Sequence, residues 1–205
     1  MKDRKQRSAI NAVLNLVHDV QMTKSQENTL IYLLLDVKKV FDHVMLKQLI
    51  KILIKLKISV NLTNWIKCFL QNRIIDLAFD NKRQKSKKIS TEISQNLFIS
   101  LILFLIYIKY LFSKIRVKFE NLQLLSYIDD VMLYIEKRNI DKNAKILKNA
   151  AKITFTWAEN NAVQFNNSKS ELIHFESHKM TLNQMIILFN NMIIKSKTCI
   201  WWLEV

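Results

Sequence analysis

The stretch that most narrows the folds open to this chain is 122–135, Leu-Gln-Leu-Leu-Ser-Tyr-Ile-Asp-Asp-Val-Met-Leu-Tyr-Ile. Residues 122–125 and 132–135 are apolar and rich in strand formers, so they read as two antiparallel strands with Asp129 and Asp130 at the tight turn between them. Two carboxylates side by side on a hairpin tip repel unless a cation sits between them, and hard oxygen ligands of this kind suit Mg²⁺. An Asp-Asp pair can also be no more than a solvated turn, so the rest of the chain has to decide.

Upstream, residues 30–35 form a continuous apolar run of strand length, the pattern of a strand buried on both faces, and it ends at a third carboxylate, Asp36. With that acid in view, Tyr127-Ile128-Asp129-Asp130 resembles the Tyr-x-Asp-Asp box of reverse transcriptases. The segment 33–44 resembles the first palm motif, an apolar strand ending in Asp36 with an aromatic, Phe41, five positions on. Residues 93–104 are similar to the family's Pro-Gln-Gly-Ser-Pro loop and the helix after it, 165–171 to its lysine motif, and 202–205 to the start of its primer-grip hairpin. The five motifs stand in the family's order, and the resemblance is to polymerases of non-LTR, LINE-like retrotransposons of fungal type.

This resemblance implies an α+β fold: a polymerase palm with an antiparallel sheet and helices packed on one face, with fingers and thumb largely missing. It implies a single partial reverse transcriptase domain over 1–205, in which 1–29 is a remnant of a fingers helix and connector and 30–205 is the palm up to the start of the primer grip. It assigns Asp36, Asp129 and Asp130 to two Mg²⁺ ions, and Lys169 to the leaving pyrophosphate as proton donor. Phe41 is expected under the sugar, where its bulk excludes a 2′-hydroxyl; Gln95 is expected at the nucleotide or template, and Tyr127 beside the substrate. The implied partners are an RNA template, a DNA primer and dNTP, and the implied location is intracellular, nuclear for a retrotransposon, and not secreted.

Composition fits a nucleic-acid partner: the formal charge is +15 and the pI about 9.8, while half the residues are hydrophobic, which argues against disorder. Cys68 and Cys199 lack any paired spacing and read as buried thiols. The chain contains no Gly and no Pro, where ordinary usage of about 7% and 5% gives roughly two dozen together. Positions that are Gly or Pro in the family are here Lys39, Glu92, Ser94, Asn96, Phe98, Leu101 and Glu204, and C-to-T and G-to-A transitions reach every one of them. The expectation is therefore a degenerate, inactive retrotransposon copy. The alternative is a non-catalytic, basic nucleic-acid-binding remnant.

Period and punctuation predict helices over 9–20, 44–56, 61–70 and 140–160, with Trp65, Ile66 and Phe69 facing inward on the third. Strands are expected over 73–79, 163–165, 172–175, 185–189 and 198–205, with a basic loop over 81–88. The window 97–112 is the most apolar, but it is broken by Ser100 and Lys109 and falls short of the roughly 20 residues a membrane span needs. It reads as a buried helix starting near Leu101. His174 and His178 have the spacing of a metal pair, but they sit on an alternating, strand-like segment with no third ligand near, so no zinc site is expected.

Overall fold

The computed structural model describes residues 9–38, 45–71, 73–75, 78–79, 82–83, 87–89, 98–127, 130–176, 186–189, 192–197 and 199. The chain divides into two compact units. The first comprises Met1–Lys38, Leu111–Ala158 and Gln164–Val205, the second Lys39–Tyr110 and Glu159–Val163.

The first unit is built on strand β1 (Thr29–Lys38), which is buried along almost its whole length, as its unbroken apolar run requires. Alternate side chains serve opposite faces. Leu30, Tyr32 and Leu34 pack with Ala12, Val13, Leu16 and Val20 of helix α1 (Ala9–Ser25), which the sequence reading assigned to the fingers and which here covers one face of the sheet. On that face the Tyr32 ring stacks on Tyr134 with centroids 4.7 Å apart and meets Phe175 edge-on. Burial, and then the charge of Asp19, whose carboxylate accepts from the hydroxyl, raise the Tyr32 pKa far above its ordinary value. Ile31, Leu33 and Leu35 point to the other face and have no exposed surface.

Strand β1 pairs antiparallel with β7 (Asp130–Lys137), which pairs in turn with β6 (Gln123–Tyr127), so the hairpin read from the sequence lies beside the apolar strand. On its other side β1 pairs with β9 (Glu171–Glu176) and, at its end, with the short β8 (Gln164–Phe165). Beyond β9 come β11 (Met192–Lys197) and β10 (Ile186–Phe189), giving the order β10-β11-β9-β1-β7-β6 with β8 paired to β1. The sheet is antiparallel, as expected, except that β11 runs parallel to β9; residues 177–191, with β10 among them, give the chain room to return in the same direction. The closing strand expected over 198–205 lies outside the described residues apart from Cys199; the strand that the pattern did not reveal is β11.

Helix α5 (Ile140–Asn160) begins where Asn139 accepts from the Lys142 amide at 2.9 Å, an N-cap. The buried Asn143 amide donates to the carbonyls of Thr29 and Lys137 at 3.1 and 3.0 Å, which fastens the helix to the paired ends of β1 and β7. Further along, Phe155 meets Phe165 edge-on at 5.2 Å. Phe165 is the register partner of Val37, so α5 lies on the face opposite α1. Helix α4 (Phe98–Lys118) starts at the position where the family has a proline, three residues before the expected Leu101, and runs through both units, with Leu103, Phe104, Tyr107, Ile108, Leu111 and Ile115 buried. Among the described residues no helix is long and apolar enough to cross a membrane.

In the second unit, α2 (Leu46–Lys55) buries Leu49, Ile52 and Leu53 and exposes Lys47, Lys51 and Lys55. It closes in a Schellman turn: the Ile58 amide donates to the Leu53 carbonyl and the Lys57 amide to that of Ile54, with Lys57 at φ 56°. Ser59 then caps α3 (Val60–Leu70) by accepting from the Leu62 amide at 3.3 Å. The buried face of α3 is Thr63, Ile66 and Leu70, not the expected Trp65, Ile66 and Phe69: Trp65 is half exposed, because it lies roughly a quarter-turn round the helix from Ile66. Cys68, on the side away from that buried face, is exposed, and so is Cys199, against the expectation of two buried thiols. The expected 73–79 strand is two short ones, β2 (Arg73–Ile75) and β3 (Ala78–Phe79). The expected 81–88 loop holds β4 (Lys82–Arg83), which pairs with β3, and the start of β5 (Lys87–Ile89), which pairs with β2.

Candidate active site

The site begins with a register. In the β1–β7 ladder Asp36 stands directly opposite Asp130, although they are far apart in sequence. Opposed residues of antiparallel strands lie roughly 5 Å apart at Cα with side chains on the same face. Tyr127 is in turn the register partner of Asp130, so one sheet face presents Tyr127, Asp130 and Asp36 in a row across three strands. It is the face that α1 covers further down β1, where Leu34 and Met132 are core residues.

The lysine motif closes the row on the other side. The Asn166 amide donates to the Asp36 carbonyl at 2.8 Å, continuing the β1–β8 pairing, and the chain then turns through a short 3₁₀ segment, Asn167–Lys169. Ser168 and Ser170 hydroxyls donate to Asn166 and hold that turn. Lys169 is thereby aimed back at β1, its Nζ 3.9 Å from Asp36 Oδ2, with the carboxylate one-fifth exposed and the ammonium two-thirds exposed. At that distance and exposure the pair contributes less than about 1 kcal/mol to folding. What it supplies is a positive charge beside two negative ones. One strand position further back, Glu171 stands opposite Leu34, on the same face, and forms an ion pair with Lys197 of β11.

The structure therefore brings together Asp36, Asp130, Tyr127 and Lys169. Asp129, Phe41 and Gln95 lie outside the described residues. The contact of Lys169 with Asp36, and the tie from Asn166 that creates it, had no signal in the sequence beyond the lysine motif itself, because both depend on which strand β8 joins. Among the described residues no group of three metal-ligating side chains forms; Asp36 and Asp130 are two donors of the right chemistry at one level of the sheet, and Asp129 is the next residue in the chain. Two opposed carboxylates at one level of the sheet are hard oxygen donors of the kind a divalent cation takes. His174 Nδ1 is hydrogen-bonded to Ser196 Oγ at 2.6 Å, and His178 lies outside the described residues.

Comparison with known families decides the assignment, since residues 2–201 match the family described as reverse transcriptase (RNA-dependent DNA polymerase). The chain belongs to the reverse transcriptase family. Among solved structures it is similar to telomerase from Candida tropicalis in complex with a TWJ fragment of telomeric RNA, with TM-score 0.60 and 14% identity over 96% of this chain and 35% of that one. It is also similar to apo telomerase from the same organism truncated from its C-terminal domain, with TM-score 0.58 and 16% identity over 87% of this chain and 37% of that one. At such identities the likeness is one of fold, and this reverse transcriptase chain spans about a third of the telomerases it matches. No curated protein sequence matches it significantly.

Proposed function

We propose that the face presenting Asp36 and Asp130 is the site of template-directed nucleotidyl transfer, in a copy of non-LTR type that keeps its metal-binding acids but has lost most of its turnover. The observation that carries this is the direct opposition of Asp36 and Asp130, with Lys169 beside the first. In this reading Asp36, Asp129 and Asp130 hold Mg²⁺, which when bound neutralises phosphate charge and lowers the pKa of the primer 3′-hydroxyl. The primer 3′-hydroxyl gives its proton to solvent, its oxygen forms its bond to the α-phosphorus as the bond to pyrophosphate breaks, and Lys169 gives the leaving pyrophosphate its proton. Tyr127 lines the substrate side of the row, Phe41 selects the deoxyribose and Gln95 touches the nucleotide or template. The partners are an RNA template, a DNA primer and dNTP. The slow turnover follows from Lys39 and Asn96, where the family has Gly: one adds a long charged side chain beside the nucleotide, and the other retains only part of a glycine's freedom.

The test is Mg²⁺ titration calorimetry alongside primer extension. Binding is expected in the wild-type chain and lost in Asp36→Asn, with extension that is weak and disappears in the same variant. Mg²⁺ binding that survives Asp36→Asn overturns the reading.

A further inference from the structure

Helices α2 and α3 leave a surface of unusual composition. From residue 43 to 75 the sequence contains no Asp or Glu, while Lys47, Lys51, Lys55, Lys57 and Lys67 are all exposed, so every charged side chain on this surface is positive. Lys47, Lys51 and Lys55 recur at every fourth residue and form one row along α2, about 6 Å per step. That is a row of cations in step with the phosphates of an extended strand. Lys55 also sits over the Tyr110 ring, 5.3 Å from its centroid, within the same unit.

Beside this charge the surface exposes apolar groups that solubility does not call for. Ile54 is 61% exposed and Trp65 50%. Trp65 is held in a defined plane, because it stacks nearly parallel on Phe69 with centroids 5.2 Å apart and 14° between the rings. A solvated amphipathic face accounts for the lysines, but it does not account for an indole fixed in plane and left in water. A second copy of the chain is a poor partner, since it brings the same uncompensated lysines. A nucleic-acid strand meets both needs at once, offering phosphates to the lysine row and a base to the indole face.

We propose that the α2–α3 surface is a second nucleic-acid site, one that takes single-stranded RNA or DNA by stacking a base on Trp65 and drawing phosphates along Lys47, Lys51 and Lys55. It needs no metal and no carboxylate, so its chemistry is independent of the polymerase site. Its role is to hold a strand to the chain independently of catalysis.

The experiment is fluorescence anisotropy of end-labelled oligo(dT) and oligo(rU) with the full chain in EDTA, which removes metal-borne binding at the acidic site. Trp65→Ala is expected to weaken binding about tenfold, and Trp65→Tyr to restore most of it. The double variant Lys47→Gln/Lys51→Gln, which lies wholly on the exposed face, is expected to reduce the slope of log affinity against log salt by about 1.4. It decides the matter if Trp65→Ala does not fold by circular dichroism. The proposal is overturned if the folded variants bind both strands as the wild type does. It is also overturned if Trp65 governs capture by anionic phosphatidylserine vesicles, or self-association by sedimentation, while strand binding ignores it. Mg²⁺ binding and primer extension report on the polymerase reading, while strand affinity in EDTA with Trp65 and Lys47/Lys51 variants reports on this one, so failure of either is told apart from failure of the other.

Discussion

Strand β1 of the first unit and the α2–α3 hairpin of the second solve the same problem in opposite ways. Successive residues of β1 are buried whichever way they point, so the strand admits a charged group only near its end, and Asp36 is there. Each helix of the hairpin fully buries only three residues and leaves its lysines in water, so charge is tolerated along its length. The difference teaches where function can be placed. A strand wrapped on both faces holds one carboxylate in a fixed register with its neighbour, which suits chemistry; a one-sided helix spreads several cations over a surface, which suits the capture of a polyanion.

The sharpest way to break this comparison is to truncate side chains of either parity on β1. Leu33→Ala, at a position with no exposed surface, is expected to cost about 2 to 5 kcal/mol in denaturant unfolding, and Leu30→Ala on the opposite face a similar amount. On α2, Ile54→Ala at an exposed position should stay within about 0.5 kcal/mol of the wild type. Next in size is Asn143→Ala, which removes two hydrogen bonds and leaves the Thr29 and Lys137 carbonyls without that donor, a loss of about 1 to 3 kcal/mol by the same measurement. Ser59→Ala takes away the α3 cap and should cost about 1 kcal/mol, read as a lowered midpoint.

The gentlest probe is alkaline pH, since both units contain a tyrosine that burial pushes up to about 12, Tyr134 in the first and Tyr107 in the second. For Tyr134 the charge of Asp19 adds to burial, whereas for Tyr107 a hydrogen bond from the Met45 backbone partly offsets it. The folded state keeps these hydroxyls protonated beyond the ordinary value of 10, so the stability they contribute is complete below pH 10 and is lost as pH rises through about 12. Tyrosinate absorbance at pH 10 in the folded protein that Tyr134→Phe or Tyr107→Phe diminishes contradicts this.

The comparison also explains what was legible in the sequence. An unbroken apolar run ending in Asp36 reads as a strand covered on both sides, and the apolar hairpin can be placed beside it, so the core was readable; the turn was not, since Asp130, expected in it, opens β7 opposite Tyr127 and Asp36. Helix α5 was readable over its full span because its period is clean. Periodicity was less decisive on α3, where Thr63 rather than Trp65 joins the buried face: size and apolarity suggested the indole, and packing chose the smaller side chain. Strand β11 and its parallel pairing with β9 were hidden, because nothing local in residues 192–197 says which strand they will join. The Lys169 contact was hidden for the same reason.

The helix ends carry one more consequence. Glu27, Lys57 and Ala162 follow α1, α2 and α5 with φ of 55°, 56° and 54°, the left-handed region that glycine enters freely and other residues enter at a cost of about 1 kcal/mol each. These three positions are therefore places where glycine relieves a backbone cost. Substituting glycine at all of them is expected to raise the midpoint of unfolding without touching the acid row or Lys47, Lys51 and Lys55, and so to yield a sturdier protein on which both proposed activities can be assayed.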